Sequence, residues 1–175
     1  MKHFFIVACL FVATSLSAQT TTTNQFFLNF LIPSAEYEFA VSENSTVDAL
    51  AGVGFGYRDS DFHGSEFGFF PQVMAQYRHY YNFKKRNTKG KKTSENSGNY
   101  IAAVGVFSGG DPIFGDLELN NDYNAFIGPA WGLQRVYGGN FKLNLNLGLG
   151  LGFNDSENSY LSPLVGLQLG WKLGK

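Results

Sequence analysis

Phe141-Lys142-Leu143-Asn144-Leu145-Asn146-Leu147-Gly148-Leu149-Gly150-Leu151-Gly152-Phe153 alternates without a break: every odd position is phenylalanine or leucine, and every even position is polar or glycine. Side chains on a strand point to opposite faces with a period of two. One face of this segment is therefore wholly apolar, and the other carries a lysine, two asparagines and three glycines. Such a strand separates two solvents, and its length bears on which ones. Thirteen residues at a rise of about 3.4 Å, tilted by about 45°, cover roughly 30 Å, close to the apolar band of a membrane barrel.

The same odd-number parity recurs along the chain. Leu161, Pro163, Val165, Leu167, Leu169, Trp171 and Leu173 oppose Ser162, Gly166, Gln168, Gly170 and Lys172, with Leu164 as the exception. Tyr123, Ala125, Ile127, Pro129, Trp131 and Leu133 oppose Asn124, Gly128, Gly132 and Gln134, and Phe126 breaks that pattern once. Phe69 to Phe83, Val47 to Arg58 and Tyr37 to Val41 behave likewise, whereas Tyr100 to Phe107 is apolar or small on both faces. Turn signals separate the segments, as at Glu43-Asn44-Ser45-Thr46 and Tyr137-Gly138-Gly139-Asn140. No helical period stands out. The long segments number seven, Tyr37 to Val41 among them, and the missing strand comes from the N-terminal side, where a break at Pro33 leaves two short strands, Phe26 to Ile32 and Ser34 to Val41, for the even total of eight that bacterial barrels favour. The sequence thus predicts an all-β fold, an antiparallel up-and-down transmembrane β-barrel of eight strands with a narrow polar lumen.

Composition agrees with this class. Among 175 residues, 17% are aromatic and 21 are glycine, yet the mean hydropathy is only -0.11. Alternation averages apolar against polar residues, so barrel strands escape a hydropathy scan that finds membrane helices. Residues 1–18 have the layout of a secretory signal peptide: Lys2 and His3, an apolar run from Phe4 to Ala13, then small residues to Ala18. Residues 19–175 form the expected outer-membrane β-barrel domain. The one cysteine, Cys9, falls in the signal, so neither a disulfide nor a thiolate metal site is expected. No cofactor or metal is expected. The net charge of -1 gives no general attraction to nucleic acid.

With the C-terminus periplasmic, Asn154 to Ser159, Ser108 to Asn120 and Asp59 to Glu66 become outer loops. Tyr137 to Asn140, Lys84 to Gly98 and Glu43 to Thr46 become inner connections. Aromatic girdles are expected at Tyr57, Phe69, Phe107, Phe153 and Tyr160 on the outside, and at Tyr81, Phe83, Tyr100, Tyr137, Phe141 and Trp171 on the inside. Glu36, Glu38, Gln76, Arg78, Asn144, Asn146 and Gln168 are expected to form a polar network in the lumen, with Asp48, Arg58, Gln72, Gln134, Lys142 and Lys172 on the same face. Buried charges persist when paired, and Glu38 with Arg78 is the preferred couple. The connection containing Lys84, Lys85, Arg86, Lys89, Lys91 and Lys92 reads either as a solvated turn or as an electrostatic dock for anionic lipid headgroups. The candidate for catalysis is His63-Gly64-Ser65-Glu66, in which a serine and a histidine share one strand face. Small outer-membrane barrels include lipid A deacylases that use a histidine, a serine and a carboxylate. In that family, however, the residues lie on a late strand. His79, the other histidine beyond the signal, falls outward near a rim.

The run Gln76-Tyr77-Arg78-His79-Tyr80-Tyr81-Asn82-Phe83-Lys84-Lys85-Arg86, continued by Lys89 to Tyr100, resembles small outer-membrane barrel proteins of Gram-negative bacteria that carry no assigned activity. The Ser17-Ala18-Gln19 ending of the signal is similar to export signals of the Bacteroidetes type. The resemblance implies the barrel fold and location in the cell outer membrane, and no site residues come with it. Barrels of this kind commonly end in an aromatic residue read by the insertion machinery. Here Trp171, before Lys172-Leu173-Gly174-Lys175, would stand in for it.

The expected role is therefore structural or surface-interacting, in a monomer that spans the outer membrane without forming a wide pore. Its expected partners are outer-membrane lipids and, during biogenesis, the barrel insertion machinery. Two alternatives stay open: a lipid A deacylase-like enzyme using His63 and Ser65, and a secreted, lipocalin-like barrel. The second requires the leucine face to point inward.

Overall fold

A computed structural model describes residues 22–60, 64–156 and 159–174; the signal segment 1–18 and His63 lie outside the described residues. Nine strands form one antiparallel sheet: β1 (Gln25–Asn29), β2 (Ser34–Ser42), β3 (Ser45–Ser60), β4 (Gly64–His79), β5 (Asn99–Gly109), β6 (Phe114–Gly115), β7 (Tyr123–Val136), β8 (Phe141–Asn154) and β9 (Tyr160–Leu173). Because β3 pairs with β4 as well as β2, and β9 pairs with β1 as well as β8, the sheet closes in a ring. Eight strands make that ring, and the two-residue β6 is added to β4 alone. The N-terminal strands break at Pro33, as the sequence suggested.

The odd-even pattern sorts the two faces of the ring. Along β8, Lys142 and Asn144 are 0% exposed while Leu149 is 53% exposed, and on β9 Val165 is 74% exposed. Even-numbered residues of β2 to β5 and of β7 to β9 point inward. On β1 the parity inverts, so that Gln25, Phe27 and Asn29 are buried. The inversion follows from the turn at residues 30–33, after which Asn29 pairs with Ser34. A bulge between Ala40 and Ser42 adjusts the register at the other end of β2.

Residues 43–44, 80–98 and 137–140 connect strands at one end of the ring, termed the basic end. The connection 110–122 and the strand ends Ser60, Gly64, Asn154 and Tyr160 lie at the opposite, acidic end, and the turn at 30–33 closes the short β1–β2 hairpin part-way toward it. The basic end is closed by its own connection. After β4 stops at His79, Tyr80 turns into the ring and a short helix α1 (Phe83–Thr88) begins. Phe83, expected at a rim, is instead buried, with its ring stacked 4.8 Å from that of Tyr80. Asn96 then clamps the N-terminal segment. Its side chain accepts from Thr23 N at 2.9 Å and donates to Thr23 O at 2.9 Å.

The expected narrow polar lumen is polar chiefly in its basic half, and apolar side chains fill much of the other. Toward the acidic end the inward side chains include Leu50, Met74, Val104, Val106, Phe126 and Leu164, with Gln72 and Ser108 bonded to each other among them. Phe126 and Leu164, the two residues that broke the sequence alternation, are thus interior packing. Phe70 and Leu117 crowd the acidic-end mouth, where a Cβ added to Gly56 would fall 3.0 Å from the Phe70 ring. The β1–β2 hairpin is short, so β3 beyond Val53 and β9 before Leu169 have a paired neighbour on one side only. A cavity of about 150 Å³ opens there, lined by Leu50, Val53, Met74, Leu164 and Gln168 among others.

Tyr100 was expected at a rim and is 0% exposed inside the ring. It fits because it faces Gly132 across β5 and β7. A Cβ at residue 132 would lie 2.3 Å from Tyr100 Cζ, so even alanine must push the ring aside. Gly132→Ala is expected to lower stability by about 1–3 kcal/mol in urea titrations of the folded protein. Gly105→Ala, whose Cβ would meet nothing within 4 Å, is the control and should be near neutral.

Candidate functional site

The basic half of the lumen is built around Arg78, carried inward by β4. Its guanidinium donates to Asp48 Oδ2 on β3 at 2.8 Å, to Gln76 Oε1 at 3.2 Å and to Gln134 Oε1 on β7 at 3.2 Å. Glu36 and Glu38 on β2 stand 3.6 and 3.7 Å from it, and the Tyr100 ring lies beneath it at 5.0 Å. The tightest carboxylate partner is thus Asp48, not Glu38. Glu38 is held chiefly by neutral donors: Tyr80 at 2.6 Å, Thr46 at 2.7 Å and Gln134 Nε2 at 2.8 Å.

A second cation, Lys142 on β8, donates to Glu36 and sits 4.4 Å above the Phe27 ring. Asn29 donates to the same Glu36 oxygen at 3.0 Å. Tyr100 donates to Asn144 at 2.7 Å and contacts Asn146, which reaches Gln168 at 3.5 Å. The expected lumen residues are therefore brought together, and Gln134, Lys142, Asp48, Tyr80 and Tyr100 join them. Arg58 is not among them: it is exposed at the acidic-end mouth and pairs there with Glu66.

The interior holds three carboxylates, Glu36, Glu38 and Asp48, against two cations, Arg78 and Lys142, all buried. Low permittivity makes such charges costly unless their partners are in place. Four buried side-chain oxygens of the described residues meet no donor: Glu36 Oε1, Asp48 Oδ1, Gln25 Oε1 and Asn29 Oδ1. Chemically the network is a set of mutual restraints. Its members bond to one another, and side chains close the passage at both ends.

Ser65 lies on the outer face at the start of β4, exposed. It donates to Asp59 Oδ1 at 3.0 Å and accepts from Tyr57 at 3.1 Å. A catalytic serine gives its proton to a base that a third group orients, whereas this hydroxyl is engaged by a carboxylate and a phenol. Glu66 points inward to Arg58. Among the described residues, no group of three or more histidine, cysteine, aspartate or glutamate side chains is placed to hold a metal ion.

In the basic connection Lys84 and Lys85 project from α1, and Lys89, Lys91 and Lys92 follow it, all exposed. Lys92 pairs with Glu95 at 2.5 Å. Partial burial works against ionisation of Glu95, but bonds from Lys92 and Ser94 outweigh it and hold the carboxyl below the usual glutamate range. His79 is exposed on the outer face and bonded through Nδ1 to Ser45 Oγ at 3.0 Å. The opposite end gathers Asp59, Asp111, Asp116, Glu118, Asp122 and Asp155. Comparison with protein-family models, with curated proteins and with solved structures gives no match.

Because the interior has one carboxylate in excess, removing an acid and removing a base have unequal consequences. Arg78→Met leaves three buried carboxylates facing Lys142 alone and is expected to cost about 3–5 kcal/mol, in the range for breaking a buried pair. Asp48→Asn balances the remaining charges and should cost much less. Denaturant titration of both variants checks the asymmetry.

Proposed function

We propose that the chain is an integral β-barrel of the cell outer membrane, exported behind a cleaved signal, with a structural or surface-interaction role. The observation that carries this proposal is the inverted distribution of its faces. Charged and amide side chains are buried inside the ring, while Leu147, Leu149, Leu151, Ile127, Val73 and Val165 stand exposed on the outer wall. Soluble monomers rarely expose apolar patches beyond a few hundred Å², and a wall of this kind has hydrocarbon as its natural solvent. β8 and β9, at 14 residues each, cover roughly 33 Å when tilted by about 45°.

Aromatic clusters fall at the two rims of this wall. Phe30, Phe141 and Trp171 group at one place, with Tyr137 beside Phe141. Phe55, Phe67, Phe69 and Phe114 group toward the acidic end. Amphipathic rings favour the headgroup level. Solute conduction is disfavoured by the charged plug in one half of the lumen and the apolar packing in the other. The lipocalin-like alternative needs the leucines inside, and the geometry has them outside. The deacylase alternative draws no support from Ser65, which meets Asp59 and Tyr57. The partners of the proposed barrel are outer-membrane lipids and the insertion machinery, and it works as a monomer.

Detergent should be needed to extract the protein from membranes, and unboiled samples should migrate differently from boiled ones. Release into buffer without detergent overturns the proposal. Leu147→Arg gives a sharper test: an arginine on the lipid face near mid-membrane costs about 2–4 kcal/mol and should sharply reduce the folded fraction in vesicles, whereas on a water-facing wall it would be harmless. Lipid A acylation, read by mass spectrometry with and without the protein, is expected to be unchanged.

A further inference from the structure

We infer that the outer wall beside the basic connection binds an anionic glycerophospholipid, its phosphate between Arg86 and Arg135 and an acyl chain in the groove below them. This site presupposes the membrane-spanning barrel proposed above. The groove has a volume of about 640 Å³ and is lined by Tyr77, His79, Ile101, Pro129, Trp131 and Leu147. It is concave because Ala103 and Gly148 form part of its floor between those larger neighbours. Toward the basic end its lip is fixed by Trp131 Nε1 donating to Tyr81 Oη at 2.8 Å, a pair suited to headgroup depth.

Beyond the lip the outward row of β7 continues through Leu133 to Arg135, about 14 Å further along the strand at about 3.4 Å per residue. Arg135 donates to Gly98 O at 2.7 Å, Gln134 O at 2.7 Å and Asn99 Oδ1 at 2.6 Å. Arg86, on α1, donates through two nitrogens to Lys92 O at 3.1 and 2.7 Å. The two guanidiniums are close enough to repel each other, and no ion pair joins either to a carboxylate among the described residues. Glu95, the single acid of residues 80–98, is taken by Lys92.

Two arginines oriented by backbone carbonyls, each with N–H groups to spare, match the fork geometry by which guanidinium binds phosphate. Lys84 and Lys85 extend the positive field on the same helix. A free phosphate would gain nothing from the apolar groove, whereas a neutral lipid would gain nothing from the arginines. The combination selects a phosphate attached to hydrocarbon.

The test uses protein extracted from the membrane and reconstituted in phosphatidylcholine vesicles. The motionally restricted fraction of spin-labelled phosphatidylglycerol is compared with that of spin-labelled phosphatidylcholine. Each basic side chain near a membrane surface contributes about fivefold in binding, so Arg86→Gln and Arg135→Gln should each lower the preference about fivefold. Arg86→Lys and Arg135→Lys should restore most of it. Ala103→Trp, which fills the groove without altering charge, should also reduce retention several-fold. Boiled and unboiled gel mobility verifies that each variant is folded, and Arg86→Gln alone, at a partly exposed helix position, decides the case if Arg135→Gln is not. Preference for phosphatidylglycerol that survives either Arg86→Gln or Ala103→Trp overturns the inference, as does an inserted protein with no preference or one that prefers lipid A. A chain that fails to insert at all overturns the membrane proposal instead, and is read directly from the gel.

Discussion

Arg78 brings a positive charge into the middle of a closed ring of strands, where solvation by water is replaced by a fixed set of partners. Desolvating such an ion costs several kcal/mol even after relaxation, and Asp48, Glu36, Glu38, Gln76 and Gln134 offset that cost together. Those residues come from β2, β3, β4 and β7, so the geometry of one guanidinium constrains four strands together. A slip of one residue in any of these strands would send its polar partner to the outer wall and an apolar side chain inward. The register Glu38–Asp48 on β2 and β3, and Asp48–Gln76 on β3 and β4, is thereby enforced electrostatically as well as by the hydrophobic pattern.

The two halves of the lumen solve the same packing problem with different chemistry. Near the basic end, strands bring long polar side chains that fill space by bonding to each other. Near the acidic end, the inward row of β8 is glycine at 148, 150 and 152, and bulk arrives from elsewhere: Phe126 on β7, Leu164 on β9, Phe70 on β4 and Leu117 from a connection. A Cβ at residue 150 would lie 2.8 Å from the Phe126 ring and one at residue 152 would lie 2.5 Å from the Tyr160 ring. Glycine on one strand makes room for an aromatic ring on its neighbour, and the ring in turn closes the passage. Glycine in the inner face is therefore a sign of filled space.

Much of the ring was legible in the sequence because a period of two survives in any strand with unlike faces. β2, β3, β4, β7, β8 and β9 and most of the inward polar residues follow from that period, and the break at Pro33 from the missing proline donor; β5, apolar or small on both faces, and the two-residue β6, inside the expected 108–120 loop, do not. What escaped depends on cross-strand register, which a single sequence does not display. Tyr100 resembles a rim aromatic until Gly132 is known to be its partner, and Phe126 and Leu164 resemble errors until the space opposite the β8 glycines is known. In β1, Gln25-Phe26-Phe27-Leu28-Asn29 is apolar on both faces at its centre, so its inverted parity is visible only through pairing with Ser34. The helix after His79 was hidden for a different reason: its six residues are too few to show a helical period, and one buried side chain, Phe83, holds it in place. For the candidate catalytic pair, strand parity could say that Ser65 shares a face with His63, but not that Asp59 and Tyr57 would engage the serine.

Residues 80–98 link the interior to the surface. Tyr80 enters the lumen and donates to Glu38, Phe83 stacks on Tyr80, and Ser97 and Gly98 bond to β7 at Val136 and Gln134. These anchors are buried and shared with the Arg78 network, whereas Lys84, Lys85, Lys89, Lys91 and Lys92 between them are exposed. A connection of this length left unanchored would average its charges over a wide volume. Anchored at both ends, it holds its cations at a set height beside the Trp131–Tyr81 lip of the outer wall. The buried network therefore does more than seal the ring: by fixing Tyr80 and Gly98 it determines where a positive field meets the edge of the apolar belt.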